Sequence, residues 1–315
     1  MNPLSRLARP RLPSSAVGLT GSSASVVSLD RRRDAFVVKR AGISPLPEGL
    51  LRPGFDESNV ADVGELARVL AGLAESTGLA RKRRWSVALP EAAARTAILT
   101  LESASASRAE TEEMLRWKIE RTFGAGADEL RVSRHRLRGD SQGRARFLAT
   151  AARASVLSEY EAVCDALGWR AGLLLPSHMG EEQWLMRGVR DAADSLLVSS
   201  HGEGFTAALL RDNQPLLVRS VTCDPEDRAD ELYRFLLFYR DRLNSSNDDG
   251  SSVVGRMLVA GQGIGEEQAL AIVEETLSAR PRLLRAEEAR LSLPSHELPF
   301  AQLAAPAGLA ALAFG

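Results

Sequence analysis

Two stretches of the chain carry the same pattern of short apolar runs and polar turns, and helix-forming sequence follows each. In the first, Ala16–Leu19 and Val26–Leu29 flank the turn residues Gly21, Ser22 and Ser23, and Ala35–Val38 comes next. In the second, Ser195–Val198 and Phe205–Leu210 flank a glycine-containing turn, and Pro215–Val221 returns after Asp212 and Asn213. Apolar runs of this length between turn formers read as the strands of a meander. Behind the first meander Val63, Leu66, Ala67, Leu70, Leu73 and Ala74 recur at helical spacing. Leu232, Phe235, Leu236, Tyr239 and Leu243 do so behind the second. A repeated meander backed by helices predicts a duplicated α/β architecture.

Between the two copies lie further elements. Trp85–Leu89 alternates and stops at Pro90, Thr96–Leu101 reads as another strand, and Arg108–Phe123 is helical, with Met114, Leu115, Ile119 and Phe123 on one side. Asp128–Arg138 and Arg144–Ala152 read as a hairpin closed by residues 139–143. Val156, Tyr160, Val163, Cys164 and Leu167 form a helical stripe, Leu173–Leu175 a strand fragment and Met179–Arg190 a helix. After the second meander come a polar loop at 245–252, a buried strand at Met257–Ala260, a helix at Ala269–Leu277 and an apolar close at Leu309–Phe314.

With 44% hydrophobic and 26% charged residues, the 315-residue chain reads as a soluble globular protein of about two domains. No run approaches the roughly 18–20 apolar residues of a spanning helix. Residues 1–15, with Arg6, Arg9, Arg11 and three prolines, read as a flexible basic leader. Forty basic and 41 acidic side chains leave a net charge of -1, which argues against nucleic acid as a partner. Of the basic residues 37 are Arg, and Lys39, Lys82 and Lys118 are the only lysines, so any lysine chemistry has three places to sit.

Three glycine-bearing turns are candidates for holding phosphate through backbone N–H groups: Gly18 to Ser23, Ser199 to Gly204, and Gly261 to Gly265. Plain hairpin turns and a strand-to-helix connection explain them equally well, and none has the lysine of a Walker A loop. His135, His178, His201 and His296 have no spacing that pairs two on one helical face, which argues against a zinc site. Cys164 and Cys223 give neither a ligand spacing nor a disulfide framework. No nucleophile elbow is present, so no catalytic residue is assigned.

The order of soft motifs from Ala16 onward resembles the PilM-type, actin-like proteins of type IV pilus assembly. The motifs are Val17-Gly18-Leu19, Pro47-Glu48-Gly49-Leu50, Val87-Ala88-Leu89-Pro90, Glu113 to Lys118, Ser158 to Glu161, Leu175-Pro176-Ser177, Leu210–Val221 with Pro215 and Arg219, Glu231–Tyr239, the glycine turn after Val259, and Ala307 to Ala310. The resemblance implies an actin-like (ribonuclease H-like) duplicated fold, related to actin and FtsA, with a small inserted subdomain in the first half and a shortened second half. Its divisions fall at 16–89 for the first subdomain, 90–175 for the insertion, 176–194 for a connecting helix and 195–315 for the second half, whose C-terminal segment returns to the first.

The resemblance also implies a vestigial nucleotide site at Gly18, Thr20, Gly21, Ser22, Ser23, Ser199, Gly202, Gly204, Gly261 and Gly263. The family's first aspartate falls at Thr20, its lysine near Val27, its second aspartate at Ser199 and the following glycine at His201. Hydroxyls and an alkyl group replace the groups that organise Mg²⁺ and neutralise phosphate, so the expectation is a pseudo-ATPase with no cofactor, or with ATP and Mg²⁺ bound without turnover. The implied role is a cytoplasmic scaffold, peripheral at the inner membrane. Its expected partners are the N-terminal peptide of a PilN-like membrane protein, other pilus inner-membrane components and the assembly motor ATPase. The peptide's groove is expected near Trp85–Thr96 and the Glu113–Phe123 helix. Two alternatives stand beside this reading: an actin-like ATPase regulating pilus assembly, and a cytoplasmic domain like the type II secretion L proteins.

Overall fold

The computed structural model describes residues 12–102, 107–140, 142–187, 193–245, 254–294 and 298–315. Most of the expected leader, residues 188–190 of the helix expected to reach Arg190, most of the 245–252 loop and His296 lie outside them. The leader is shorter than 1–15, because Ser15 is buried and pairs with Ser28 at the start of the first strand.

The first meander is β1 (Ser15–Leu19), β2 (Ser23–Arg32) and β3 (Ala35–Pro45). Beside β1 runs β4 (Arg84–Leu89) in parallel, and beside β4 runs β8 (Arg170–Pro176); the short β14 (Leu291–Ser292) extends the β3 edge. One face is covered by α1 (Val63–Ser76), whose first turn is capped by the Asp62 carboxylate accepting the Glu65 N–H at 2.9 Å. Leu66, Leu70 and Leu73 of α1 pack there with Trp85, which stacks on Trp169 at 4.3 Å.

The second meander is β9 (Asp194–His201), β10 (Gly204–Arg211) and β11 (Gln214–Thr222), followed by β12 (Val254–Gly261) and β13 (Arg282–Leu283). The sheet order β11-β10-β9-β12-β13 repeats the order β3-β2-β1-β4-β8, so the duplication expected from the meanders is present in the strand topology. Its outer face is covered by α5 (Arg228–Ser245) and α6 (Glu266–Leu277). A triad around the buried Asp194 anchors this half: Asp194 takes two bonds of 2.9 Å from the half-buried Arg211 and one from the buried Tyr239 hydroxyl.

After β4 the chain leaves the first half to form a three-stranded sheet, β5-β7-β6, from β5 (Arg95–Leu101), β6 (Leu130–Leu137) and β7 (Ala145–Arg153), covered by α2 (Arg108–Phe123). The insertion is therefore shorter than 90–175. α3 (Ala154–Ala166) packs into the core around α1, and β8 pairs with β4, so both belong to the first half. The insertion also reaches the second half: the Arg138 N–H donates to Gln214 Oε1 at 2.8 Å, and Arg146 donates to the Leu216 carbonyl at 3.0 Å, both on β11.

The halves meet where α4 (Ser177–Arg187) crosses α7 (Phe300–Ala311). Both helices have a glycine at the crossing. A Cβ on Gly180 would lie 2.2 Å from the Ala305 oxygen, and one on Gly308 would lie 1.8 Å from the Gly180 oxygen. The Trp184 indole N–H donates to the Ala304 carbonyl at 2.8 Å and locks the contact. α7 is continuous although Pro306 stands inside it, and it packs against β1, β2 and β4 of the first sheet.

Candidate functional site

The β1–β2 and β9–β10 turns face one another across a cleft between the halves, and the turn after β12 and the crossing helices complete its walls. The cavity holds about 160 Å³. Its mouth is formed by exposed Thr20, Ser22 and Gly202, and its floor by buried Glu181, Ser199 and Ala305. Of the sequence candidates, Gly18, Thr20, Gly21, Ser22, Ser23, Ser199, Gly202 and Gly261 border this cavity, whereas Gly204 and Gly263 do not. Gly261 has a local structural reason to be glycine: its φ is 77°, and a Cβ there would meet the Ser200 carbonyl oxygen at 1.9 Å.

The first turn satisfies itself. The Thr20 hydroxyl accepts the N–H of Ser23 at 2.9 Å and that of Ser22 at 3.3 Å. The second turn is tied from below, where Arg228 at the start of α5 donates through Nη2 to the His201 and Gly202 carbonyls at 2.9 and 2.8 Å. The same guanidinium lies against Gly263, whose added Cβ would be 2.3 Å from Nη1. The Ser200 hydroxyl accepts the Ile264 N–H at 3.0 Å and links the second and third turns.

Under the cleft lies a cluster of ionisable groups that sequence reasoning missed. Glu91, just after β4, accepts at 2.6 Å from His178 Nδ1, from the His178 backbone N–H at 3.2 Å and from the Thr206 hydroxyl at 3.0 Å. Burial works to raise the Glu91 pKa, but the charge and hydrogen bond of His178 outweigh it and hold the carboxyl low. Burial likewise opposes the His178 imidazolium, and Glu91 outweighs it to raise the His178 pKa. Glu181 and Glu182 on α4 are 3% and 2% exposed. Burial pushes each up to about 7; the Ser199 hydroxyl draws Glu181 back, and His178 draws Glu182 back. Glu181 Oε2, Glu182 Oε1 and His178 Nε2 have no hydrogen-bond partner among the described residues. Across the cavity the Glu203 pKa is lowered chiefly by its hydrogen bond with His201.

These residues do not fit a magnesium nucleotide. The cavity is smaller than the roughly 300–1,000 Å³ of sites for drug-sized ligands. Among the described residues bordering it there is no Lys, Arg or Asp, while Glu91, Glu181 and Glu203 all do so. Val27, where the family's lysine falls, is buried in the apolar core. The N–H groups of Ser22 and Ser23 are engaged by Thr20, and Arg228 occupies the space beside Gly263. Among the described residues no group of three or more His, Cys, Asp or Glu side chains is placed to hold a metal ion.

A second concavity, of about 530 Å³, runs between α2 and β6 on the insertion and is bordered by Glu112, Arg116, Ile119, Leu130, Val132 and Arg134. β6 is an edge strand of its sheet, and Arg134 reaches over to pair with Glu112. Among the described residues no helix is long and apolar enough to cross a membrane.

No family model matches the chain. No curated protein sequence matches it either. Among solved structures, it superposes on a chain of a PilM-PilN type IV pilus biogenesis complex with a TM-score of 0.78 at 20% identity, over 97% of this chain and 100% of that one. A Bacteroides thetaiotaomicron protein of actin-like ATPase fold and unknown function matches at TM-score 0.46 and 12% identity, over 98% of each chain. The cytoplasmic domain of EpsL, an inner-membrane component of the Vibrio cholerae type II secretion system, matches at TM-score 0.43 and 13% identity, over 78% of this chain and 80% of that one. The first of these likenesses establishes the fold: the chain adopts the duplicated, actin-like architecture that the resemblance implies.

Proposed function

We propose that the chain is a scaffold of type IV pilus assembly that holds the N-terminal peptide of a PilN-like inner-membrane protein and does not hydrolyse ATP. The observation that carries this reading is the likeness to the PilM-PilN complex, which extends over nearly the whole chain, insertion included. The groove between α2 and β6 supports it; it shares the α2 side of the expected location but not the Trp85–Thr96 side, where Glu91, Arg95 and Thr96 border a separate concavity with Phe123 and Val221. An extended peptide can add to the free edge of β6 through main-chain hydrogen bonds while its apolar side chains meet Ile119, Leu130 and Val132. The chain then sits at the inner face of the membrane through its partner, where it meets other pilus components and the motor ATPase. The cleft supports the second part of the reading, because its bordering carboxylates oppose a polyphosphate.

Calorimetric titration of the full chain with a synthetic peptide of the cognate PilN-like N-terminus tests the docking. Saturable binding is expected, weakened about tenfold by Val132→Arg. Absence of binding overturns the reading. Phosphate release from ATP and Mg²⁺ above the buffer rate overturns its second part.

A further inference from the structure

We propose that the end of the first sheet opposite the cleft is a membrane-docking surface that recognises anionic phospholipid headgroups, independently of peptide docking. β1, β4 and β8 run parallel, so the segments that lead into them lie together at one end of the sheet. That end is basic. Arg81, Lys82, Arg83 and Arg84 lead into β4, Arg170 opens β8 as the register partner of Arg84, and Arg40 lies on β3 beside Gly78, just after α1. All six side chains are exposed. Two of them have a local reason to be cations: Arg40 and Arg83 lie by Gly78 and Gly168, where α1 and α3 end and a positive charge favours the helix dipole. Arg81, Lys82 and Arg170 have no such reason, and among the described residues no carboxylate partner. The acids toward this end are fewer. They are Asp30, which Lys39 pairs at 2.8 Å, and Asp34, Glu75 and Asp165.

A second observation is that the backbone of the basic tract is held in place. The Lys82 N–H donates to the Leu79 carbonyl at 2.9 Å, the Lys82 carbonyl accepts the Trp85 indole N–H at 3.3 Å, and the Arg83 carbonyl accepts the Arg170 N–H at 2.6 Å. Trp85 is itself fully buried and stacked on Trp169. The cations are thus presented from an ordered frame, and a partner that meets them does not have to order it.

The spread of the charges and the neighbouring chain select the occupant. The six cations extend over the ends of three strands, and none of them borders the cleft, the α2–β6 groove or the concavity beside Phe123. Charges distributed in this way suit a plane of phosphates better than one threaded peptide. The chain also enters β1 at this end, with Pro13 buried beside Gly172 of β8. Residues 1–11 hold Arg6, Arg9 and Arg11, no acid, and Leu4 and Leu7 among the cations. Cations mixed with leucines match the boundary between headgroups and acyl chains, whereas an acidic peptide or a nucleic acid would use the cations alone. Because the whole chain carries a net charge of -1, a basic end leaves the remainder acidic, and the resulting field turns this end toward an anionic surface. β4 carries the chain six residues, about 20 Å, from the basic end to the cleft and the insertion, so membrane contact and peptide docking use separate surfaces.

The test is co-sedimentation of the full chain with vesicles of phosphatidylglycerol mixed into phosphatidylcholine, beside vesicles of phosphatidylcholine alone, at about 0.05 and 0.5 M sodium chloride. Partitioning is expected onto the anionic vesicles only, and to be lost at the higher salt. The combined variant Arg81→Ser, Lys82→Ser and Arg170→Ser is expected to lower the partition coefficient by roughly a hundredfold, and Lys82→Ser alone severalfold. Circular dichroism verifies folding, and Lys82→Ser carries the test if the combined variant does not fold. No partitioning onto anionic vesicles, equal partitioning onto neutral ones, unchanged partitioning in the folded variants, or release from the vesicles by polyglutamate or duplex DNA at equal charge concentration overturns the proposal. The variants keep the peptide titration of the native chain, and a failed peptide titration leaves the vesicle result standing, so the two readings fall separately.

Discussion

The two halves share one sheet plan, β3-β2-β1-β4-β8 against β11-β10-β9-β12-β13, and each sends one helix to the crossing, yet they close their sides of the cleft by different means. In the first half a hydroxyl does it, with Thr20 absorbing the N–H groups of its own turn. In the second a cation does it, with Arg228 of α5 holding two carbonyls of the facing turn. The crossing helices differ in the same spirit: α4 carries His178, Glu181 and Glu182 into the interior, and α7 carries no charged residue at all. Duplicated topology conserves where a turn lies and leaves open which partner satisfies it, so chemistry diverges between halves that superpose in plan.

The most damaging way to break the correspondence is at the helix crossing. Gly308→Val or Gly180→Val drives a side chain into a backbone oxygen of the opposite helix, and a loss of about 3 kcal/mol is expected by urea denaturation, at the upper end for overpacking. Next is the charged side of the crossing. Burial raises Glu181 and Glu182 from 4.5 to about 7, so the folded chain holds protons that the unfolded chain has released in that window. Stability from these groups is full below about pH 4.5 and is lost as the pH rises through 7. His178, raised by Glu91, acts in the same direction above 6.5, and Glu91, held low by His178, acts only in acid. Glu182→Gln removes one of these losses. It is expected to stabilise the chain at pH 8 by on the order of 2 kcal/mol and to change little at pH 5. A destabilised variant at pH 8 overturns the assignment.

The turns themselves give the third comparison. Arg228→Met should cost about 2 kcal/mol, because it strips two carbonyls of a charged donor, whereas Thr20→Val in its exposed turn should cost about 0.5–1 kcal/mol. Equal losses in denaturation would show that both turns are held by packing alone. The smallest effect is expected at the strap. Arg138→Ala removes an exposed pair with Asp212 at 3.0 Å, within the ~0.2–1 kcal/mol of such pairs, and leaves the backbone bond to Gln214 in place.

The repeated meanders were legible because both combine apolar strands with short polar turns, and α2 was legible to the residue, Arg108–Phe123, because Ser107 caps it and Gly124 ends it in a left-handed turn. β8 was harder to place. Nothing in Arg170–Pro176 says which sheet it joins, and its partner β4 lies on the far side of the whole insertion. The start of α7 was hidden by Pro306, which ordinarily ends a helix and here is tolerated at the cleft. The acid cluster was the least visible. Neighbouring glutamates usually occupy a solvated face, and α4 is buried on both sides by α7 and the second sheet, so no amphipathic stripe marks Glu181 and Glu182 as interior. The one available hint was the run His178-Met179-Gly180-Glu181-Glu182 directly after a strand ending in Pro176, where small apolar residues would pack more simply.

The strap from the insertion to β11 has a mechanical consequence. A hinge made by two crossing helices alone would transmit torque through one point and swing freely about it. Here the insertion, which grows from the first half, also rests on the edge strand of the second, through Arg138 and Gln214 and through Arg146 and Leu216. The insertion is thus tied at two places, down β5 and β7 into the first sheet and sideways through β11 into the second, which gives a pull on it a second route into the molecule besides its own stem.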